Sequence, residues 1–318
     1  MKNRVCELLG IKYPIIEGGM AHIGNGLLAA AVSEGGGFGQ IGCAGRTPEN
    51  LEEEILIAFQ KTNKPFGVNL PLSEYKDPQP YIDVIEKHKD KIKAISLSAG
   101  NPKPYIPVFK EMGLVVMVII ATQRHAINAQ SQGADIIVCE GYEAGGHNGA
   151  EELTTFALIP QIAKIAEVPL VAAGGITNGA GVAAAMMLGA EGVQLGTRFI
   201  ATTECEAHEN YKKKILESQD IATTVLTRKN GVIRVLKSEF VAKVQEKDNQ
   251  AETIEEILPY IRGTVNRKAA IGGDFENGWA SAGQGSGLIQ EIESAELVVK
   301  KIVAEANERF SQFNNYQL

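Results

Sequence analysis

Cysteine is scarce and dispersed in this 318-residue chain. Its four copies, Cys6, Cys43, Cys139 and Cys205, form no CxxC pair, so neither a zinc knuckle nor a disulfide framework is indicated. Basic charge is in deficit: 31 Lys and Arg stand against 38 Asp and Glu, a net charge of −7. No Lys/Arg cluster offsets that deficit, which excludes a nucleic-acid surface. Long apolar runs are missing too. None reaches the ~18 residues that a membrane span needs, and the opening MKNRVCELLGIKYP has neither an apolar leader core nor a small-residue cleavage site. The expectation is a cytoplasmic protein with reduced thiols. Last, no G-x-G-x-x-G turn follows the first apolar segment, which weighs against a dinucleotide-binding half.

What the chain has in excess is glycine, 34 residues, well above the usual ~7%. The glycines fall where short apolar runs stop. Pro14–Ile16 enters Glu17-Gly18-Gly19-Met20, and Gly37–Ile41 stops at Gly42. Runs follow over 65–70, 94–97, 115–120 and 136–139, the last ending Glu140-Gly141. Two more, 169–173 and 192–195, end in Gly174-Gly175 and Gly196-Thr197-Arg198. Helical stretches alternate with them, such as 26–34 and the amphipathic NLEEEILIAFQKT, with Leu51, Ile55, Leu56 and Phe59 on one face. Eight short strands alternating with helices predict a (β/α)8 TIM barrel rather than an open doubly wound sheet.

After Phe199 the alternation breaks. A charged helix over 204–220, a mixed β-branched stretch over 223–236 and a second charged helix over 239–258 precede a return of glycine near Ala270. This predicts a mostly helical inserted subdomain, residues 205–269, covering the mouth of a barrel made of residues 1–204 and 270–318. A last helix is expected over 292–310.

In such barrels the chemistry sits at the C-terminal ends of the strands, and the last two strand ends commonly hold a phosphate. Gly174, Gly175, Gly196 and Thr197 fit that role, with Arg198 as an added positive charge. The segment CEGYEAGGHNGAEELTT puts Glu140, Glu143 and His147 above the sixth strand, and Gly145-Gly146 lets the backbone fold tightly there. His147 is the candidate general acid or base. It has no second histidine or cysteine at ligand spacing, so no metal site is expected. His22 follows the first strand turn and could line the mouth, whereas His88, in the lysine-rich EKHKDK, reads as solvated. Cys43 and Cys139 read as small core residues. Asn69 and Gln194 carry amides suited either to the edge of a planar heterocycle or to local capping. With no nucleophile–base pair, the set points to a bound organic cofactor rather than to hydrolysis.

These motifs resemble one family. PIIEGGM (14–20), KPFGVN (64–69), SAGNP (98–102), GADIIVCEGYEAGGHNG (133–149), VPLVAAGGI (168–176), GAEGVQLGTRF (189–199) and AGQGSGLI (282–289) are together similar to the FMN-dependent family of nitronate monooxygenases (2-nitropropane dioxygenases) and flavin enoyl-acyl-carrier-protein reductases. The resemblance implies FMN at the barrel mouth. Gly18, Gly19 and Met20 would meet the flavin ring, and Asn69 would hydrogen-bond it. Gly174, Gly175, Gly196 and Thr197 would hold the phosphate, with Gln194 and Gly146 nearby, and His147 matches the active-site histidine. Glu17 departs from the glutamine usual before the first Gly-Gly, so that position's role is not carried over. Two reactions are implied: oxidation of an alkyl nitronate with oxygen, the leading expectation, or NAD(P)H-dependent reduction of a carrier-bound enoyl chain. An NAD(P)H:quinone reductase is a further alternative, and a non-enzymatic flavin-binding protein the least expected. An acidic carrier protein would need a basic patch, for which Lys212, Lys213, Lys214, Arg228, Lys229 and Arg234 are the candidates. The oligomeric state stays open, a homodimer being the assembly considered.

Overall fold

The computed structural model describes residues 3–229 and 231–313; the ends of the expected barrel span, 1–2 and 314–318, lie outside them. Eight strands form one parallel sheet: β1 (Ile15–Glu17), β2 (Gly39–Gly42), β3 (Phe66–Pro71), β4 (Ala94–Ser98), β5 (Val115–Ile120), β6 (Ile136–Glu140), β8 (Leu170–Ala173) and β9 (Gly192–Leu195). The intervening β7 (Gly146–Asn148) lies outside it. Pairing runs β1-β9-β8-β6-β5-β4-β3-β2, and the ring closes where Phe38 meets β1. There Glu17 N–H donates to the Phe38 carbonyl and Phe38 N–H to the Ile15 carbonyl, each at 2.8 Å. The protein is a (β/α)8 barrel.

Alternation along the strands sorts side chains to the two sides of the wall. Ile16, Phe38, Ala94, Met117, Ile136, Val138, Val171 and Ala173 form one buried cluster, and Val5 and Leu9 from the helix Arg4–Leu9 join it. That helix, held by an Asn3 cap and a left-handed Gly10, was not expected from the apolar pattern. A larger cluster fills the space between strands and outer helices. In the helix Pro48–Lys61, capped by Thr47, the buried face is Leu51, Glu54, Ile55 and Ala58. Leu56 and Phe59, expected on that face, are exposed, Phe59 under the Lys91 ammonium. Each fully buried Leu or Ile contributes roughly 1.5–3 kcal/mol, so the register with the larger apolar burial wins.

Between β9 and the final helix Ala295–Phe313 the chain leaves the barrel. It forms the helices Glu209–Leu216, Glu239–Gln250, Leu258–Ile261 and Gly263–Ala270, and the hairpin strands β10 (Thr223–Val225) and β11 (Val232–Leu236). The helix expected over 239–258 stops at Gln250. There the Glu256 carboxylate accepts from the Glu252 and Thr253 amides at 3.2 and 3.0 Å, offering the backbone a turn instead. Leu226, Ile233, Val235, Val241, Val244, Ile257, Ile261, Val265 and Trp279 give this segment its own small core. One tie to the barrel is β7: β11 pairs antiparallel with it, Ile233 opposite His147 and Arg234 opposite Gly146. Among the described residues no helix is long and apolar enough to cross a membrane.

Candidate functional site

The C-terminal strand ends and the inserted segment enclose a cavity of about 890 Å³. Gly18, Gly19, Met20, Asn69, Gly146, His147, Gly174, Gly175, Gln194, Gly196 and Thr197 all line it. These eleven expected residues are therefore brought to one space, whereas Arg198 and Glu143, also singled out in the sequence, do not line it. From the other side Ile261, Gly263, Asn266 and Ala270 of the inserted segment, with Trp279 beyond it, complete the wall.

One end of the cavity is a cradle of backbone. Gly174 and Gly175 take φ of 96° and 73°, the left-handed region that favours glycine. A Cβ on Gly174 would lie 2.7 Å from the Gly141 carbonyl oxygen. Gly196 and Thr197 begin the one-turn helix Thr197–Ile200, whose first amides have no intrahelical partner. Beside them, the buried hydroxyl of Thr177 has no hydrogen-bond partner among the described residues. Arg198 is not part of the cradle. Its guanidinium turns away to the Ala201 and Glu291 carbonyls and the Glu293 carboxylate, at 3.1, 3.3 and 3.2 Å. Burial there demands a paired charge, and Glu293 supplies it. The expected phosphate-binding arginine is a structural ion pair.

Across the cavity, two amides are set with opposite polarity. Asn69 Nδ2 donates to Ser96 Oγ at 2.9 Å and lies 3.3 Å from Ser98 Oγ, which leaves its Oδ1 as the free acceptor. Gln194 Oε1 accepts from Gln40 Nε2 at 3.3 Å, which leaves its own Nε2 as the free donor. Gly19 passes so close to Asn69 that any Cβ would run into the amide. A flat floor with one acceptor and one donor suits the hydrogen-bonding edge of a planar heterocycle.

His147 stands on β7 with its side chain open to the cavity. Among the described residues neither ring nitrogen has a hydrogen-bond partner. Surrounding protein holds its pKa below the ordinary value, against the opposing charge of Glu74, so the imidazole is neutral near pH 7 and can accept a proton. Glu140, at the end of β6, also faces the cavity, and burial pushes its carboxyl up to about 7. Glu143 serves structure instead: its carboxylate accepts from the Thr155 amide at 2.8 Å and hydroxyl at 2.9 Å. His22 lines the mouth, with Nε2 3.1 Å from the Gly263 carbonyl of the inserted segment. His88, expected in solvent, is buried with Nε2 2.7 Å from Glu52 Oε1. The lysine-rich context hid a helix end turned onto its neighbour. Cys43 and Cys139 are buried, and their thiols are shifted upward by that burial.

The profile of the family described as nitronate monooxygenase matches residues 2–305. A probable nitronate monooxygenase from Staphylococcus saprophyticus is 32% identical, over 97% of this chain and 98% of its own. Among solved structures, FabK from Thermotoga maritima superposes with a TM-score of 0.93 at 38% identity, covering both chains fully. A nitroalkane oxidase from Streptomyces ansochromogenes gives 0.86 at 25% identity, over 98% of this chain and all of that one. The chain belongs to the nitronate monooxygenase family. It is an oxidoreductase of that flavin-dependent family.

For this family member the late glycine segment proves to be part of the site. Ser281, Gly283 and Gly285 line the cavity. Gly283 N–H donates to Thr197 Oγ1 at 2.9 Å, and Gln284 N–H to the Glu143 carbonyl at 2.8 Å. A Cβ on Gly145 would sit 2.7 Å from the Ala282 carbonyl carbon, and one on Gly283 2.8 Å from the Glu143 oxygen. The segment thus backs both the cradle and the His147 loop. Its glycine spacing was the available signal, but only the fold shows what it packs against.

Proposed function

We propose that the cavity holds FMN and that the protein oxidises small alkyl nitronates with oxygen. The observation that carries this reading is the placement of a neutral, unpartnered His147 in the same cavity as the glycine cradle and the paired amides. Gly174, Gly175, Gly196 and Thr197, with the free Thr177 hydroxyl, would bind the phosphate. Gly18 and Gly19 would give the ring a surface without side chains, Asn69 Oδ1 would accept from it and Gln194 Nε2 would donate to it. When bound, FMN would supply a two-electron sink that oxygen empties again. His147 accepts the acidic carbon proton of a neutral nitroalkane, or as a donor orients the anionic nitro group of a nitronate. Glu140 shares the same cavity and changes charge at about pH 7, so it opposes a second negative group above that pH. The wall from Ile261 to Trp279 keeps bulk water from the reacting carbon.

One observation favours a second reading, reduction of a carrier-bound enoyl chain with NAD(P)H. The likeness to FabK, 38% identical, exceeds that to the nitroalkane oxidase at 25%, and FabK carries the reductase branch of the resemblance. Against it, the basic patch expected for an acidic carrier is engaged within the molecule. Arg228 pairs with Glu152 at 2.5 Å, Lys229 with Asp248 at 3.5 Å and Lys213 with Glu217 at 3.7 Å. Arg234 is buried over the Tyr142 ring at 4.3 Å, and Lys214 lies over Phe275.

Anaerobic mixing of the flavin-loaded protein with propyl nitronate, NADH or NADPH, followed by flavin absorbance, separates these readings. Bleaching by nitronate alone supports nitronate oxidation. Bleaching by a nicotinamide alone sinks it and moves the assignment to the reductase. A protein that takes up no FMN overturns both.

A further inference from the structure

The barrel closes between β1 and β2 by an unusual device. The backbone ladder there ends at Phe38, and side chains continue it. Glu17 Oε2 accepts from the Gln40 backbone amide at 3.1 Å, and Gln40 Nε2 donates to the Glu17 backbone carbonyl at 2.6 Å. The same Nε2 lies 3.3 Å from Gln194 Oε1. Both Glu17 and Gln40 are fully buried. Among the described residues the second carboxyl oxygen, Glu17 Oε1, has no donor directed at it, and no cation pairs with the group.

We infer that Glu17 is a neutral carboxyl that completes the barrel seam, and that its backbone carbonyl, by holding Gln40 Nε2, sets the polarity of Gln194 toward the cavity. A carboxylate in that position would be an unpaired buried anion, the costliest state a side chain can adopt. The neutral form keeps Oε2 as the acceptor and turns the orphaned Oε1 into a hydroxyl. With the seam closed, Gln40 Nε2 is held between two oxygens. Gln194 must then turn its own oxygen inward and its N–H donors to the cavity. Glu17 is thus a positioning residue, two side chains from the ligand. The charged or titratable groups near it are few: the flanking β2 and β9 present Gln40 and Gln194, which do not titrate, and the nearby Cys205 thiol is pushed up to about 12 by burial. The link from Gln194 to the ligand rests on the FMN reading above, but the protonation of Glu17 does not.

The test is Glu17→Gln, which keeps shape and acceptor but cannot ionise. In flavin-free protein, burial holds the Glu17 pKa well above its usual value, so folding at neutral pH must take up a proton. That stability is complete below the unfolded carboxylate range and is lost as pH rises toward the raised value. Wild type should therefore lose about tenfold in folding equilibrium per pH unit relative to E17Q across the neutral range, read from denaturant unfolding. Parallel pH curves for the two proteins overturn the inference. Failure of E17Q to fold overturns it as well, because an isosteric neutral side chain must be tolerated. Fluorescence titration with FMN then reads the relay. E17Q should bind FMN within about twofold of wild type, whereas Gln40→Met, which removes the donor to Gln194, should bind about tenfold more weakly. A large loss in E17Q, or none in a folded Q40M, sinks the relay. Should Q40M not fold, E17Q still decides. If neither wild type nor variant binds FMN, the cofactor reading fails while the pH comparison still judges the proton.

Discussion

The two walls of the cavity are built on different principles. On the barrel side, the site is backbone: glycines at strand ends, a flat Gly18-Gly19 surface and amides fixed by neighbours, all rising from strands buried on both faces. On the inserted side, the wall is side chains from short helices over a separate small core, tied to the barrel by the pairing of β11 with β7 and by the contact of His22 with Gly263. The first wall cannot move without breaking the barrel. The second rests partly on its own core and joins the barrel's cluster through Tyr211, Ile215, Leu236, Ala269 and Ala270. Binding of a constant group belongs on the backbone wall and choice of a substrate on the wall of side chains. His147 sits on the join, with its backbone in the sheet of the inserted segment and its loop anchored on β6.

Substitution at that join should have the largest effect on turnover. His147→Ala removes the imidazole that is proposed to move the substrate proton, and kcat should fall by about 10²- to 10⁴-fold while FMN is retained. Steady-state rates and the flavin spectrum, measured on one preparation, check both halves. Loss of FMN together with rate would mean that the histidine belongs to the rigid wall instead. Next in size is Gly19→Ala. Its new Cβ runs into the Asn69 amide, and a clash against a fixed group costs about 1–3 kcal/mol. FMN affinity should drop by roughly tenfold or more, with global stability less affected. An unchanged dissociation constant would show that the floor is not where the ring lies.

The contrast between the walls also explains what could be read from sequence. Glycine runs at strand ends are local signals, and each expected barrel strand falls within two residues of the observed one. The residues of the cradle follow from them, whereas those of the floor are assigned by the resemblance of the motifs to a flavin family. Arg198 and His88 were misread because their partners, Glu293 and Glu52, are brought to them only by the fold. β7 was invisible for a similar reason. Gly146-His147-Asn148 has no strand pattern, and it becomes a strand because β11, some 85 positions later in sequence, lies beside it. Local propensity cannot report a pairing whose other half is elsewhere.

A smaller effect is expected from the pH response of the mouth. Glu140 has its pKa raised from 4.5 to about 7 by burial. The stability it contributes is complete below 4.5 and is lost as pH rises through about 7. Glu140→Gln should flatten that decline, and it should remove any limb near pH 7 from the rate profile with an anionic nitronate. A profile unchanged in E140Q would leave His147 as the group that sets it.

The smallest effect is expected where the inserted wall meets solvent, and there it discriminates between reactions. Arg228 is largely exposed, and its pair with Glu152 is of the kind worth about 0–1 kcal/mol. Arg228→Ala should change stability by no more than that. If the substrate is a free nitronate, kcat/KM should also stay within about twofold, because the guanidinium is already satisfied by Glu152 and Tyr142 and nothing approaches from outside. An acidic carrier protein would instead feel the lost charge through its association rate, and that loss would fade as salt screens it. A salt-sensitive drop in kcat/KM in R228A would therefore reassign the outer wall from a cover over a small substrate to a docking face for a macromolecular one, while the rigid wall beneath it kept the same role.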